Sequence, residues 1–140
     1  MRIERVTDAA AVHAAADLFD APPLADATEK FLAHPDHHLL LAYVDDRAVG
    51  MVTGVEMTHP DKGTEMFLYE LGVAPHARLT GVGTALVTAL AGIARERGCY
   101  GMWVGTEVDN EAAQKTYRRA GANEEERFLL LSWDTTQGES

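Results

Sequence analysis

The junction at residues 78–83, Arg-Leu-Thr-Gly-Val-Gly, constrains the fold more than any other segment of the chain. The apolar residues 66–73 before it predict a strand, and a helical pattern begins at about Thr84 after it. Gly81 and Gly83 allow a tight turn and a close approach of the backbone to a ligand. Because the free N–H groups and dipole of a first helical turn favour a phosphate, we predict a pyrophosphate site here.

Two other interpretations of this junction remain open. The Gly-x-Gly spacing also begins a dinucleotide-binding fingerprint, but the third glycine and the acidic residue about 20 positions later are missing. The glycines could also serve a tight strand-to-helix turn that binds no ligand.

Composition and charge narrow the classes of function. The chain has 140 residues, of which 46% are hydrophobic, so we expect one domain over residues 1–134 and a polar tail over residues 135–140. The formal net charge of -10 argues against a nucleic-acid partner. It is compatible with a cationic substrate, although solubility alone also explains it.

The N-terminal residues and the cysteine content indicate the compartment. No apolar run reaches the roughly 18 residues of a membrane helix, and residues 1–6 lack the apolar core of a signal peptide. We therefore expect no membrane partner and a cytoplasmic location. Cys99 is the single cysteine, which excludes an internal disulfide, and no histidine pair has metal-ligand spacing, so no metal is expected.

The spacing of apolar residues and turn residues predicts alternating strands and helices along the whole chain. The predicted strands are residues 1–6, 38–44, 48–57, 64–73, 100–107 and 128–133, and the predicted helices are residues 9–19, 25–33, 83–97 and 111–119. The helix between the strands at 64–73 and 100–107 makes a right-handed crossover, so that pair should be parallel. The other pairs should be antiparallel, which gives a mixed α/β sheet.

Two segments resemble the motifs of the GNAT acetyltransferase superfamily. The Leu-Gly-Val-Ala-Pro of residues 71–75, followed by Arg-x-x-Gly-x-Gly at 78–83, resembles its acetyl-CoA-binding motif. The pattern Asn-x-x-Ala-x-x-x-Tyr-x-x-x-Gly at 110–121 resembles its second motif. The resemblance implies an α/β fold of GNAT type, with a mostly antiparallel sheet, a central splayed parallel strand pair and helices on both faces. Residues 69–73 and 124–134 look similar to small aminoglycoside 3-N-acetyltransferases.

The resemblance implies a site for acetyl-CoA and for an acceptor amine. The implied cofactor-binding residues are Leu71, Gly72, Val73, Arg78, Leu79, Thr80, Gly81, Val82, Gly83, Thr84, Asn110, Ala113 and Tyr117. Tyr117 is the candidate general acid, because a phenol can protonate a leaving thiolate. Glu70 is the candidate base, followed by Glu107 and then Glu65.

Each of these residues also has a simpler explanation. Tyr117 could only pack on the sheet, Glu70 could face solvent on its strand, and Asn110 could only cap its helix. A further group of acidic residues could hold other ammonium groups of the substrate or could simply be solvated, namely Glu56, Asp109 and Glu124.

The function implied is acetyl transfer to a primary amine of a small cationic substrate, with 3-N-acetylation of an aminoglycoside as the specific expectation. The alternatives are acetylation of a protein lysine or N-terminal amine, and a non-catalytic module that binds acyl-CoA. The resemblance also implies a homodimer in which residues 128–133 take part.

Overall fold

The structure is a computed structural model that describes residues 1–136, so the end of the predicted polar tail, residues 137–140, lies outside the described residues. The strands are β1 (Arg2–Arg5), β2 (His37–Val44), β3 (Arg47–His59), β4 (Gly63–Val73) and β5 (Met102–Trp103). The helices are α1 (Ala9–Ala14), α2 (Ala25–Ala33), α3 (Val82–Glu96) and α4 (Glu111–Arg119), with short 3-10 segments at Ala16–Leu18 and Pro75–Ala77.

The five strands form one sheet in the order β1-β2-β3-β4-β5. The first four pair antiparallel with their neighbours, and β4 pairs parallel with β5. This confirms the predicted mixed sheet and its parallel pair. Within residues 1–136 that pair stands at one edge of the sheet, because the strand predicted for residues 128–133 does not form.

Helices cover both faces of the sheet, as predicted. Along β2 the side chains alternate, so that Leu40 packs in the core under α3 while Leu39 and Leu41 pack under α1 and α2. Leu40 and Leu41 are almost wholly buried. Burial of each such side chain contributes about 1.5–3 kcal/mol, so both faces of the sheet are anchored through this strand.

Two predicted elements in the first half of the chain differ in the structure. The helix predicted for residues 9–19 is broken, because the Ala15 N–H is shared between the carbonyls of Ala11 and Val12, and the chain then tightens into a 3-10 turn. The loop predicted for residues 58–63 is shorter, since β3 continues to His59 and β4 begins at Gly63. Gly63 has a φ of 94°, which suits glycine in this hairpin turn.

The two strand predictions near the C-terminus are wrong for the same reason. Of the strand predicted for residues 100–107, only Met102–Trp103 forms, because β4 offers no pairing beyond Phe67. Residues 128–133 belong to no strand, and their large apolar side chains are exposed, namely Phe128, Leu129, Leu130, Leu131 and Trp133. A strand forms only where a neighbouring strand takes up its main-chain groups.

Candidate active site

A cleft opens between β4 and β5. The two strands pair only through Met66 with Met102 and Phe67 with Trp103, whereas β4 continues to Val73. The register between β3 and β4 shifts at this point, which leaves Tyr69 without a partner in β3. The shift bends β4 away from β5. The edge of β4 over residues 68–73 is therefore open on the side away from β3.

The main-chain groups on this open edge are available for pairing. The N–H of Glu70 donates to Thr53 Oγ1 at 3.1 Å and the N–H of Ala74 donates to the Val49 carbonyl at 2.8 Å, so both point toward β3. Strand alternation then directs the N–H groups of Leu71 and Val73 toward the cleft. An extended chain of amides can dock on such an edge as an added strand.

The cleft leads to the N-terminus of α3. Gly81 is the N-cap, with a φ of 89° and no side-chain cap, and the first helical bond runs from the Ala85 N–H to the Gly81 carbonyl at 3.0 Å. The N–H groups of Val82, Gly83 and Thr84 therefore precede the helical bonds. Together with the helix dipole they form an anion-binding end of the kind predicted for this junction.

The loop before this end holds backbone strain. Leu79 has a φ of 65° although it is not glycine, and its side chain is fully exposed at 102%. Such a conformation costs on the order of 1–3 kcal/mol, and no packing of the side chain compensates for it. Beside it, Thr80 donates its hydroxyl to the Ala77 carbonyl, and Arg78 Nε donates to the Val73 carbonyl at 3.4 Å. The basic side chain therefore lies across the end of β4.

The two motif segments meet at Gly83. A Cβ placed on Gly83 would lie 3.3 Å from Thr116 Cγ2 and 3.6 Å from Val73 Cγ2, so α3, α4 and the end of β4 come together there. Asn110 caps α4, because its Oδ1 accepts from the N–H of Ala113 at 3.1 Å. The capping role expected for Asn110 is confirmed.

Tyr117 and Glu70 lie on opposite faces of the sheet. Tyr117 is half-buried on α4 and packs against the core under α3, and this burial raises the pKa of its phenol. The Glu70 carboxylate accepts from the N–H of Asp20 at 3.1 Å, beyond the 3-10 segment on the other face. The two side chains can therefore act on one ligand only through the cleft between β4 and β5.

A backbone contact that the motif does not reveal requires glycine at position 72. A Cβ on Gly72 would lie 2.2 Å from the carbonyl oxygen of Leu18. Glycine lets the 3-10 segment lie directly on β4, and this contact carries the chain toward Asp20 and the carboxylate of Glu70.

Comparison with known families decides what this architecture is. The model of the acetyltransferase (GNAT) family matches residues 8–122. The chain belongs to the GNAT acetyltransferase family. A comparison with curated protein sequences found no match.

Solved structures share the fold of this acetyltransferase. The aminoglycoside acetyltransferase meta-AAC0020 from an uncultured soil metagenomic sample, in complex with trehalose, has a TM-score of 0.86 at 20% identity, over 95% of each chain. Aminoglycoside N-acetyltransferase AAC(6')-Iy, in complex with CoA, has a TM-score of 0.81 at 21% identity, over 95% of this chain and 99% of its own. Ribosomal-protein-alanine N-acetyltransferase from Brucella melitensis biovar Abortus 2308 has 0.76 at 22%, over 95% and 100%. At these identities the likeness shows the fold.

The second-choice base of the acetyltransferase is not where it was expected. Glu107 does not end a strand but lies exposed in the loop between β5 and α4. Its carbonyl accepts from the Asn110 N–H at 3.1 Å and from Gln114 Nε2 at 3.3 Å. The main chain of Glu107 thus helps to begin α4, whereas Asp109 and Glu124 are exposed side chains nearby in sequence.

Glu56 is engaged inside the acetyltransferase and does not face a substrate. Its side chain is 6% exposed, accepts from Arg97 Nε at 2.8 Å and lies 2.7 Å from His38 Nε2. Arg97 also pairs with Asp36 at 3.0 Å. A concavity of about 410 Å³ lies beside this network, at the far end of α3 from the cleft. The suggestion that Glu56 holds a substrate ammonium group is wrong, because its charge is already paired.

Glu65 is also held by its neighbours. Tyr100 donates its hydroxyl to Glu65 Oε2 at 2.8 Å, and His59 Nε2 lies 3.2 Å from Oε1. The hydrogen bond from Tyr100 is the main reason that the pKa of Glu65 lies below its usual value, with smaller contributions from His59 and Trp103. A carboxylate stabilised in its charged form is a weak general base, but it can pair with a cationic group.

Across residues 1–136 no helix is long and apolar enough to cross a membrane. In the same part of the chain, histidine, cysteine and acidic side chains form no group that could hold a metal ion.

Proposed function

We propose that this acetyltransferase moves an acetyl group from acetyl-CoA to a primary amine of a small cationic acceptor, with an aminoglycoside as the preferred class. The observation that carries the proposal is the continuity of the open β4 edge with the uncapped N-terminus of α3. The open edge of β4 suits the amides of pantetheine, and the N-terminus of α3 suits a diphosphate. The CoA complex of AAC(6')-Iy supports this assignment.

Acetyl-CoA, when bound, supplies a thioester whose carbonyl carbon an amine can attack. Leu71, Gly72 and Val73 would pair with the pantetheine arm. The diphosphate would lie on the main chain of the loop and first helical turn, with the Arg78 guanidinium adding charge. The residues proposed for that contact are Arg78, Leu79, Thr80, Gly81, Val82, Gly83 and Thr84. Asn110 and Ala113 lie at the start of α4, the helix whose Thr116 lies beside Gly83, and would line the arm together with Tyr117.

Glu70 and Tyr117 would manage the protons of the transfer. Glu70 takes a proton from the acceptor ammonium, so that the neutral nitrogen can form its bond to the acetyl carbon as the carbon–sulfur bond breaks. Tyr117 donates the proton of its Oη to the departing sulfur, and the second proton, which the nitrogen loses as it becomes an amide, returns through solvent to the phenol. The proposed reaction has no acyl-enzyme step. Glu107 stays the second choice of base.

The acceptor class rests on charge and on the solved neighbours. A net charge of -10 attracts polycations. The protein meta-AAC0020 has also been solved with sisomicin, an aminoglycoside. The position of transfer, 3-N by the sequence resemblance, stays a prediction, whereas the neighbour AAC(6')-Iy carries a 6' designation. Resistance to aminoglycosides and a cytoplasmic location are further predictions of this proposal.

The fold similarity to a ribosomal-protein-alanine N-acetyltransferase favours one alternative, acetylation of a protein amine. A different alternative is a module that binds acyl-CoA without turnover. For such a module, no acetyl transfer would be detected, and Tyr117→Phe and Glu70→Gln would leave the affinity for CoA unchanged.

The purified protein should bind CoA and release free thiol from acetyl-CoA in the presence of sisomicin. Calorimetric titration with CoA measures the first property, and a thiol reagent measures the second. Spermidine, an alanine-terminated peptide and glycine serve as comparison acceptors. Heat of CoA binding without thiol release from any acceptor would support the non-catalytic module, and release only with the peptide would support the protein acetyltransferase.

We also propose that the protein is a homodimer built through residues 128–133. Both faces of this segment are apolar, since Phe128 and Leu130 alternate with Leu129 and Leu131, and all are exposed. Such a strand is stable only when it is covered on both sides. Within residues 1–136 the outer edge of β5 is unpaired, so it can offer residues 128–133 of a second copy the main-chain pairing that they do not make in one chain.

Leu130→Lys should convert the dimer to a monomer, because it places a charge in the proposed strand. Light scattering after gel filtration measures the mass. Val108→Lys is the matched control, since it adds the same charge at an exposed aliphatic residue outside the segment and should leave the dimer intact. A monomeric mass for the unmodified protein at high micromolar concentration would contradict the proposed interface.

A further inference from the structure

Three aromatic side chains form a continuous, partly exposed surface beside the cleft, which we name the aromatic platform: Phe67, Tyr69 and Trp103. The ring centroids of Phe67 and Trp103 lie 4.4 Å apart, and those of Phe67 and Tyr69 lie 5.8 Å apart. Tyr69 is 69% exposed and Trp103 is 41% exposed. A contiguous exposed apolar surface of this kind marks a candidate binding site.

The platform lies on the face of the sheet that carries Glu70. Met66 and Met102 pack in the core under α3, so strand alternation places Phe67 and Trp103 on the opposite face. On that face the strand residues packed under α1 and α2 come from β2 and β3. Among the described residues, β4 and β5 therefore present their rings uncovered, next to the open edge proposed for pantetheine.

A carboxylate stands at each end of the platform. Glu65 precedes Phe67 on β4, and hydrogen bonds from Tyr100 and His59 hold its side chain in place. Glu70 follows Tyr69 and is held by the N–H of Asp20. At about 3.3 Å per residue, the five-residue separation on the strand corresponds to at most roughly 16 Å between the two backbone positions. Two anions therefore flank a run of aromatic rings.

We propose that the aromatic platform binds the acceptor, with rings of the acceptor lying on Phe67, Tyr69 and Trp103 and a second ammonium group at Glu65. Aromatic faces attract cations and the C–H groups of ring amines. The inference rests on the proposed function, because the reacting amine lies at the Glu70 end. It specifies the acceptor class as a ring-built amine with at least two ammonium groups roughly 10–15 Å apart.

Trp103 provides a readout of this surface that needs no turnover. In Trp133→Phe the indole of Trp103 is the only one in the chain, so its fluorescence reports ligands on the platform. Sisomicin should quench it with saturation in the absence of acetyl-CoA. Adding Tyr69→Ala to this variant should raise the half-saturation concentration of sisomicin at least tenfold. Tyr43→Ala, an aromatic on β2 with Arg2 over its ring, is the matched control and should leave the titration unchanged.

Steady-state kinetics separate the role of Glu65. Glu65→Gln should lower the preference in kcat/KM for sisomicin over glucosamine, an amine with one ammonium group, about tenfold.

Saturable quenching without acetylation would support the platform and overturn the transferase proposal. Acetylation of sisomicin with no quenching, and with no effect of Tyr69→Ala on KM, would overturn the platform. A change of mass in Tyr69→Ala with an unchanged KM would also overturn it, because the rings would then belong to an interface between copies.

Discussion

Replacing Gly72 with alanine is expected to lower the free energy of unfolding by about 2–3 kcal/mol, because overpacking at a backbone contact forces the surrounding structure to move. The added Cβ would lie 2.2 Å from the Leu18 carbonyl oxygen, which is a main-chain atom and cannot rotate away. The 3-10 segment would have to leave β4, and the N–H of Asp20 would leave Glu70 with it. Denaturant unfolding followed by circular dichroism measures the change.

Gly92→Ala is the matched control for this substitution. Gly92 lies inside α3, and a Cβ there would meet no atom within 4 Å. The alanine should therefore raise the free energy of unfolding by about 0.5–1 kcal/mol, since glycine is a weak helix former. A lower free energy of unfolding in Gly72→Ala together with a higher one in Gly92→Ala would establish the contact at Gly72. Equal stability of Gly72→Ala and the unmodified protein would show that the 3-10 segment does not rest on β4.

The helices that the sequence predicts best are those with signals at both ends. The bounds of α2 and α4 agree with the predicted residues 25–33 and 111–119. Pro23 precedes and Pro35 follows the first, while Asn110 and Gly121 bracket the second. These signals act within a few residues of the helix, so no knowledge of the remaining chain is needed.

The strands near the cleft could not be predicted from local pattern. Residues 100–107 alternate like a strand, yet pairing depends on β4, which turns away after Phe67. That divergence follows the register shift that leaves Tyr69 unpaired, and Gly54 at the shift on β3 does not by itself show which residue of β4 is left out. The aromatic platform and the placement of Glu70 opposite Tyr117 both depend on this shift. The sequence motifs therefore named candidate site residues but did not predict on which face of the sheet each one lies.

Charge partners distant in sequence were equally out of reach. Glu56 looks like a solvated strand residue, but Arg97 at the end of α3 and His38 on β2 meet it in the folded chain. The glycines of the α3 junction, by contrast, act on their own backbone. The left-handed φ at Gly81 and the unpaired N–H groups after it were therefore predictable from the sequence.

Tyr117→Phe is expected to lower kcat for acetyl transfer about 10²–10³-fold, which is the usual size of a general-acid contribution. The substitution keeps the ring that packs under α3 and removes only the proton that would reach the sulfur. Affinity for CoA should change little. Tyr43→Phe removes a hydroxyl on β2, far from the cleft, and should leave kcat unchanged.

The pH dependence tests the same assignment. Burial raises the pKa of Tyr117 above its ordinary value of 10, so the acid form is present throughout the neutral range and is lost as the pH rises through that higher pKa. On the alkaline side, the kcat of the unmodified protein should therefore fall only above about pH 10. The same shift stabilises the fold below pH 10 and is lost above it, because the unfolded phenol ionises first. Tyr117→Phe should lose less stability on that alkaline side. An unchanged kcat in Tyr117→Phe, with the alkaline stability loss reduced as expected, would assign the phenol to packing and leave solvent to protonate the thiolate.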